Sequence, residues 1–316
     1  MEKFPQKSMK YKGKDYEMDM KKVCVVGGSG FLGSHVCDQL SEAGYVVVIY
    51  DQVASPWQRS GQTMTVADIL DERALDRAVQ GCEAVYNFAA IADLDEAVDK
   101  PIEAVRVNVL GNTMLLEACR RHGVKRFVYA STVYVHSREG GFYRCSKHAA
   151  EQFVEEYQHR YGLDFTVLRY GSLYGPRSDH HNGLWRIVNK AVETGRVLYE
   201  GSPEAMREYI HVEDAARASV AALGDEFLNQ HVVLTGQNPM RVIDLMKMLA
   251  EILGLSQDVD FVESEHAGHY IRTPYAYQTR LGRKYTPPLH VDLGQGLLEL
   301  IGIIQKEQYS SKGRAE

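Results

Sequence analysis

The sequence predicts an α/β chain built on a doubly wound parallel sheet, and three observations carry that prediction. Short apolar runs alternate with longer amphipathic segments from Lys21 to Arg169. The runs are apolar throughout instead of at every second residue, which is the pattern of strands covered on both faces. A glycine-rich turn, GGSGFLG at residues 27–33, separates the first apolar run from the first amphipathic segment.

The elements follow in order. KKVCVVG reads as a strand, FLGSHVCDQLSEAG as a helix stopped by Gly44, and YVVVIYD as a second strand. ERALDRAVQG is helical, EAVYNFAA a strand, PIEAVRVNVLGNTMLLEACRRHG one long helix, and KRFVYAS a strand. A helix from Tyr143 to Tyr161 and the strand DFTVLRY complete the series. Beyond Arg169 the rhythm weakens into turn formers, GSLYGPRSDHHNG, and a polar loop that leads into REYIHVEDAA. HVVLTG has the composition to rejoin the main sheet, whereas MRVIDLMKMLAEILG and VDLGQGLLELIGIIQ are amphipathic helices of a smaller mixed α/β lobe.

Bulk properties narrow the function. With 316 residues and 45% hydrophobic side chains the chain can bury a large core, and a net charge of −6 argues against nucleic acid as a partner. No apolar run reaches the ~18 residues of a membrane-spanning helix. The N-terminal MEKFPQKSMKYKGKDYEMDM is charged and lacks the apolar centre of a signal peptide. The cysteines Cys24, Cys37, Cys82, Cys119 and Cys145 have no metal-ligand spacing and read as reduced thiols of a cytoplasmic protein, so no metal is expected.

The glycine loop has the context of a Rossmann-type dinucleotide site. Glycine permits the tight turn and close approach to a pyrophosphate, and the helix N-terminus offers unpaired N–H groups. Gly27, Ser29, Gly30, Phe31, Leu32 and Gly33 are therefore cofactor-binding candidates. Asp51 ends the second strand, where its carboxylate can accept from ribose hydroxyls and repel a 2′-phosphate, favouring NAD over NADP.

Tyr143 and Lys147 stand at i and i+4 on one helix face. A tyrosine is a poor base near neutrality, with a reference pKa of about 10. Two neighbouring positive charges, Lys147 and an oxidised nicotinamide, would favour the phenolate. Thr132, at the C-terminal end of its strand, could hydrogen-bond the reacting alcohol where open α/β sheets hold their ligands. A Tyr and a Lys so spaced also occur on ordinary surface helices; the glycine loop and Thr132 favour the catalytic reading.

These residues together resemble the extended short-chain dehydrogenase/reductase family, in its NAD-dependent nucleotide-sugar epimerase/dehydratase branch. The similarity runs from about Lys21 to about Ile304 and rests on VVGGSGFLGSH, ADIL, YNFAA, VNVLGNTMLLEA, FVYAST, the Tyr143–Lys147 pair, LRYGSLYGPR and REYIHVEDAA. The resemblance implies that Asp68 and Ile69 contact the adenine, that Ala89 and Ala90 line the cofactor, and that Lys147 holds the nicotinamide ribose. Tyr143 would be the base and Thr132 its partner. Arg207 resembles the arginine that pairs with the substrate diphosphate, and Arg272 is a second phosphate candidate. Asn108 reads as structural, bonding backbone within its own helix, and His180 and His181 as exposed.

The departures are informative. Val133 and Tyr134 follow Thr132 where the branch's 4,6-dehydratases carry an Asp-Glu pair, its decarboxylases a glutamate nearby, and its 3,5-epimerase-reductases a cysteine. What remains is oxidation at carbon 4 of a nucleoside-diphosphate sugar: a 4-epimerase, or a 4-dehydrogenase that releases the keto sugar and NADH. A non-catalytic NAD-binding sensor or scaffold is the reading from another class. The link from Thr132 to Tyr143 is also shorter than the family usually has, which suggests a roomier sugar pocket.

The expected organisation is an N-terminal extension over 1–20, an NAD-binding domain over 21–178 to which 208–236 returns, and a sugar-binding lobe over 179–207 and 237–316. A homodimer built on helices 101–122 and 143–161 is implied by the resemblance.

Overall fold

A computed structural model describes residues 21–137, 139–255, 259–262, 283–285 and 287–312. The first half alternates as expected, except that a short strand not read from the sequence, Thr63–Val66, follows the second strand before the next helix. Strand β1 (Lys22–Val26) leads into α1 (Phe31–Glu42), β2 (Val46–Asp51), β3 (Thr63–Val66) and α2 (Glu72–Val79). Then come β4 (Ala84–Asn87), α3 (Leu94–Asp99), α4 (Pro101–Val105), a π-type turn (Arg106–Gly111), α5 (Asn112–His122) and β5 (Arg126–Thr132). A 3₁₀ turn (Val133–His136) separates β5 from α6 (Gly141–Tyr161), which is followed by β6 (Asp164–Tyr170) and β7 (Ser172–Tyr174). The remainder holds α7 (Gly183–Thr194), β8 (Leu198–Glu200), β9 (Met206–Arg207), β10 (Tyr209–His211), α8 (Val212–Ala221) and β11 (Gln230–Leu234). It closes with β12 (Met240–Arg241), α9 (Val242–Leu253), β13 (Asp260–Val262), β14 (Arg283–Lys284) and α10 (Leu293–Lys312).

The main sheet has eight strands in the order β14-β11-β6-β5-β4-β1-β2-β3. Every adjacent pair is parallel. β4 is buried along its whole length, and β1, β5 and β6 along nearly all of theirs, which is why they read as unbroken apolar runs. One face packs Leu75, Leu115, Leu116, Ala150 and Val154 from α2, α5 and α6. The other packs Val36, Leu40, Ala215 and Ala218 from α1 and α8. A separate cluster joins α7, α9 and α10 through Val188, Leu245, Leu249, Leu297 and Leu300.

Strand β11 pairs with β6, so HVVLTG does rejoin the sheet. The outermost strand, β14, comes from inside the stretch assigned to the sugar lobe, and its two residues extend the main sheet beside β11. The helix expected as one element over 101–122 contains the π-type turn. Tight packing accompanies it: a Cβ on Gly111 would lie 2.7 Å from Ile69 Cγ2, so the helix runs flush against Ile69. The helix expected from Tyr143 begins two residues earlier, at Gly141.

Strand order reverses between β1 and β4, so the loops leaving their C-terminal ends diverge and open a crevice there. Every predicted catalytic and nucleotide-loop residue sits on an element that ends at this edge or starts from it.

Candidate active site

The loop after β1 is defined by close backbone contacts. Gly27 has φ +81°, and a Cβ there would lie 2.5 Å from the Ala89 nitrogen; one on Gly33 would lie 2.2 Å from the Gly27 oxygen. The loop, the start of α1 and the loop after β4 therefore nest backbone on backbone, with Phe88 and Ala89 against Gly27 and Ala90 the next residue along. Gly30 is the N-cap of α1 with no side-chain cap, and the first turn carries no acidic residue. Such a helix end presents N–H groups and a partial positive charge to an anion. Phe31 and Leu32 form its first turn.

Asp51 closes the loop from the side. Its carboxylate accepts from the Ser29 amide at 3.0 Å and the Val53 amide at 3.3 Å, while the Ser29 hydroxyl donates to the Val53 carbonyl at 2.8 Å. Each carboxylate oxygen keeps a lone pair for a further donor such as a ribose hydroxyl. Asp68 accepts from the Leu70 amide at 2.8 Å, and its carbonyl accepts from the Tyr50 hydroxyl at 2.6 Å. Ile69 is buried against Gly111.

The other half of the site is built by β5 and α6. Thr132, buried at the end of β5, accepts from the Tyr134 amide at 3.3 Å, and its side chain neighbours the Tyr143 hydroxyl. Lys147 is 3% exposed. Its ammonium donates to the Ala130 carbonyl at 2.8 Å and lies 4.9 Å from the Tyr129 ring centre and 6.0 Å from that of Tyr143. Loss of water pushes the Tyr143 phenol up to about 12, the neighbouring Thr132 side chain opposing it. Loss of water also pushes Lys147 down to about 7, the Glu151 charge resisting.

Asn108 does more than its sequence position suggested. It does not bond within its own helix; its side chain exchanges two bonds with Ile91, accepting from the amide at 2.8 Å and donating to the carbonyl at 3.0 Å, and donates to Ser146 Oγ at 2.8 Å. Ser146 Oγ in turn donates to the Tyr143 carbonyl at 2.8 Å. Asn108 lies in the π-type turn, a distortion that often marks functional positions. It ties the loop after β4 to α6 at Ser146.

The short link after Thr132 is folded back on itself. Gly140 and Gly141 both take positive φ, and a Cβ on Gly140 would lie 2.8 Å from the Tyr134 ring, so that ring lies directly on the glycine. Arg207 is buried on β9, its guanidinium donating to the Met206 carbonyl at 3.0 Å. Next to it, Glu208 accepts from Lys284 at 3.3 Å. Arg272 and the N-terminal extension lie outside the described residues. His180 and His181 are exposed beside Asp179. Cys24, Cys37, Cys82 and Cys119 are free and buried, and Cys145 is free and exposed. Among the described residues no helix is long and apolar enough to cross a membrane.

The sequence model of the NAD dependent epimerase/dehydratase family matches residues 23–234. The chain belongs to this family. It is similar to UDP-glucose 4-epimerase of Yersinia pestis, 32% identical in an alignment that covers 64% of this chain and 72% of that one. The structure of UDP-glucose 4-epimerase from Thermotoga maritima with UDP-glucose covers 91% of this chain and 99% of its own, with TM-score 0.77 and 26% identity. That of the Thermus thermophilus UDP-glucose 4-epimerase complex with NAD covers 90% and 99%, with TM-score 0.75 and 27% identity.

NAD is the family's cofactor, and the residues present fit it. The glycine loop leaves its backbone open where side chains cannot enter, the α1 N-terminus is uncapped, and the Asp51 carboxylate stands beside the loop at the end of β2. Lys147 spends one ammonium hydrogen on Ala130 and has others to give. Sequence reasoning missed Ser131, Glu151 and Arg169, which form a buried cluster directly behind Thr132 and Lys147. The only sequence signal was Glu151 standing one further helical turn beyond Lys147.

Proposed function

We propose that the protein is an NAD-dependent nucleotide-sugar 4-epimerase. The observation that carries this reading is the placement of Thr132, buried at the end of β5, beside Tyr143 and one helical turn from the buried Lys147, at the sheet edge that the glycine loop borders. Bound NAD supplies the reversible two-electron oxidant and a positive charge that favours the phenolate. Tyr143 takes the proton of the carbon-4 hydroxyl and returns it to the reduced sugar, and Thr132 holds that hydroxyl in line. A Lys147 ammonium, 6.0 Å from the Tyr143 ring centre, favours the phenolate against the desolvation that keeps Tyr143 protonated. Arg207 pairs with the diphosphate, and Arg272 is proposed as a second phosphate contact.

No carboxyl pair follows Thr132: Val133 is buried and the Tyr134 ring rests on Gly140, so the acid and base required for loss of water are missing at that point. One feature supports a second reading as a 4-dehydrogenase. The folded-back link offers little side chain to enclose the sugar, so the 4-keto sugar could leave before it is reduced. The exposed Ile102, Val105, Leu110, Phe142 and Phe153 on the π-turn helix and α6 support a homodimer through that face.

The test is mass spectrometry of small molecules that copurify with the protein, followed by turnover of a panel of UDP- and other nucleoside-diphosphate hexoses with NAD absorbance recorded. Interconversion at carbon 4 without accumulated NADH supports the epimerase. NADH in step with product supports the dehydrogenase. NAD binding without turnover of any nucleotide sugar defeats both and leaves the sensor reading.

A further inference from the structure

Behind the Thr132–Tyr143–Lys147 group lies an ion pair that the reaction described above does not use. Arg169 on β6 holds Glu151 on α6 with two bonds, Nε to Oε1 at 3.0 Å and Nη2 to Oε2 at 2.6 Å, and the two side chains are 2% and 1% exposed. The Ser131 hydroxyl donates to the same Oε1 at 2.5 Å. Ser131 is the residue before Thr132 on β5, and Glu151 stands one helical turn beyond Lys147, two turns beyond Tyr143. The carboxylate therefore bridges the strand that carries Thr132 and the helix that carries the other two.

A buried ion pair is costly to form, and an apolar replacement of similar volume is often as stable, so stability alone is a weak reason for one here. Its placement supplies a better reason. The other charged and titratable groups around Glu151 are Lys147 and Glu155 on its own helix, Tyr129 on β5, His136 in the 3₁₀ turn and His231 on β11. Burial pushes His136 down and His231 down to about 4, so near neutrality neither histidine adds a positive charge. Arg169 and Lys147 are then the cations that Glu151 faces.

We infer that Glu151 is a positioning residue of the reaction: clamped by Arg169, its carboxylate holds Ser131, and with it Thr132, at a set distance from Tyr143 and places a negative charge one helical turn from the Lys147 ammonium. Arg169 and Ser131 are the other members of the clamp. The inference rests on the reading of Tyr143 and Lys147 as the reaction centre. Burial disfavours the charged form of Lys147 and Glu151 opposes that, so removing the carboxylate leads to loss of the ammonium at lower pH. A displacement of about 1 Å between Thr132 and Tyr143 can cost on the order of a hundredfold in rate without weakening substrate binding.

The test compares wild type with Glu151→Gln, Glu151→Asp and Ser131→Ala as holoenzymes. NAD affinity by calorimetry, and kcat and KM for the nucleotide hexose that the wild type turns over, are measured from about pH 4.5 to about pH 9. Glu151→Gln moves the alkaline loss of NAD affinity to lower pH by about one unit or more and lowers kcat about ten- to a hundredfold at nearly constant KM. Glu151→Asp restores the pH profile but not kcat, because the carboxylate is one methylene short of Ser131. Ser131→Ala lowers kcat and leaves the pH profile alone. If Glu151→Gln fails to fold with Arg169 unpaired, the double variant Glu151→Gln/Arg169→Gln removes the charge without stranding the arginine and is judged by the same shift. Profiles and kcat that superimpose on the wild type, with only a lower melting temperature, overturn the inference. A wild type that turns over no nucleotide sugar sinks the proposed function alone, because the NAD-affinity profiles still decide for or against the role of Glu151.

Discussion

Replacing Gly33 with alanine should damage NAD binding through geometry alone. The new Cβ would sit 2.2 Å from the Gly27 oxygen and 3.0 Å from both the Gly27 carbonyl carbon and Gly28 Cα, all of them backbone atoms. Even a weak carbon–oxygen contact needs roughly 3.3 Å, so α1 and the loop must separate by about 1 Å. Overpacking of this kind costs about 1–3 kcal/mol of stability. The separation also moves the amide groups at the start of α1 away from where a pyrophosphate sits, and one lost hydrogen bond to a charged group is worth about 1.5–3 kcal/mol. NAD affinity should fall about ten- to a hundredfold. Gly302→Ala is the control: in α10 nothing lies within 4 Å of its would-be Cβ, and an alanine in a helix interior should stabilise by about 0.5–1 kcal/mol. The assays are thermal unfolding and calorimetric NAD titration of both variants. A Gly33→Ala protein with wild-type melting temperature and wild-type NAD affinity would show that the nested loop is not the cofactor cradle.

Tyr143→Phe should keep NAD affinity close to that of the wild type while kcat falls about 10²- to 10⁴-fold, since only the proton acceptor is lost; undiminished turnover would end the catalytic reading. Asp51→Ser should weaken NAD binding about tenfold and relax discrimination against NADP, as the repulsion of a 2′-phosphate disappears along with the bonds to Ser29 and Val53; a wild type that already prefers NADP contradicts this. Arg207→Ala should raise KM for the nucleotide sugar more than it lowers kcat, because a diphosphate is held alike in ground and transition states. An unchanged KM removes Arg207 from the substrate site.

Much of the site was legible because its requirements are local. Gly27 needs a backbone region that other residues avoid, and Gly33 must be small where helix meets loop; both demands appear as glycine in the sequence. Tyr143 and Lys147 share a face through helical periodicity, and Thr132 ends an apolar run that has to be a strand. Asn108 was misjudged because its partners, Ile91 and Ser146, lie 17 and 38 residues away and no periodic rule connects them. Arg169, inside an apolar strand, gave no sign that its partner was Glu151.

By itself the sequence determined the alternation of strands and helices, the parallel sheet, the glycine loop and the candidate site residues Thr132, Tyr143 and Lys147, because side-chain periodicity and backbone freedom act within a few residues. The tertiary structure decided the π-type turn against Ile69, the short edge strand from residues 283 and 284, and the clamp of Ser131, Glu151 and Arg169. It also decided the electrostatics. Lys147 titrates well below an ordinary lysine, and Tyr143 above an ordinary tyrosine, because burial removes the water that would stabilise their charged forms. Desolvation belongs to everything packed around a group, and those neighbours come from β5, β6 and α6 together.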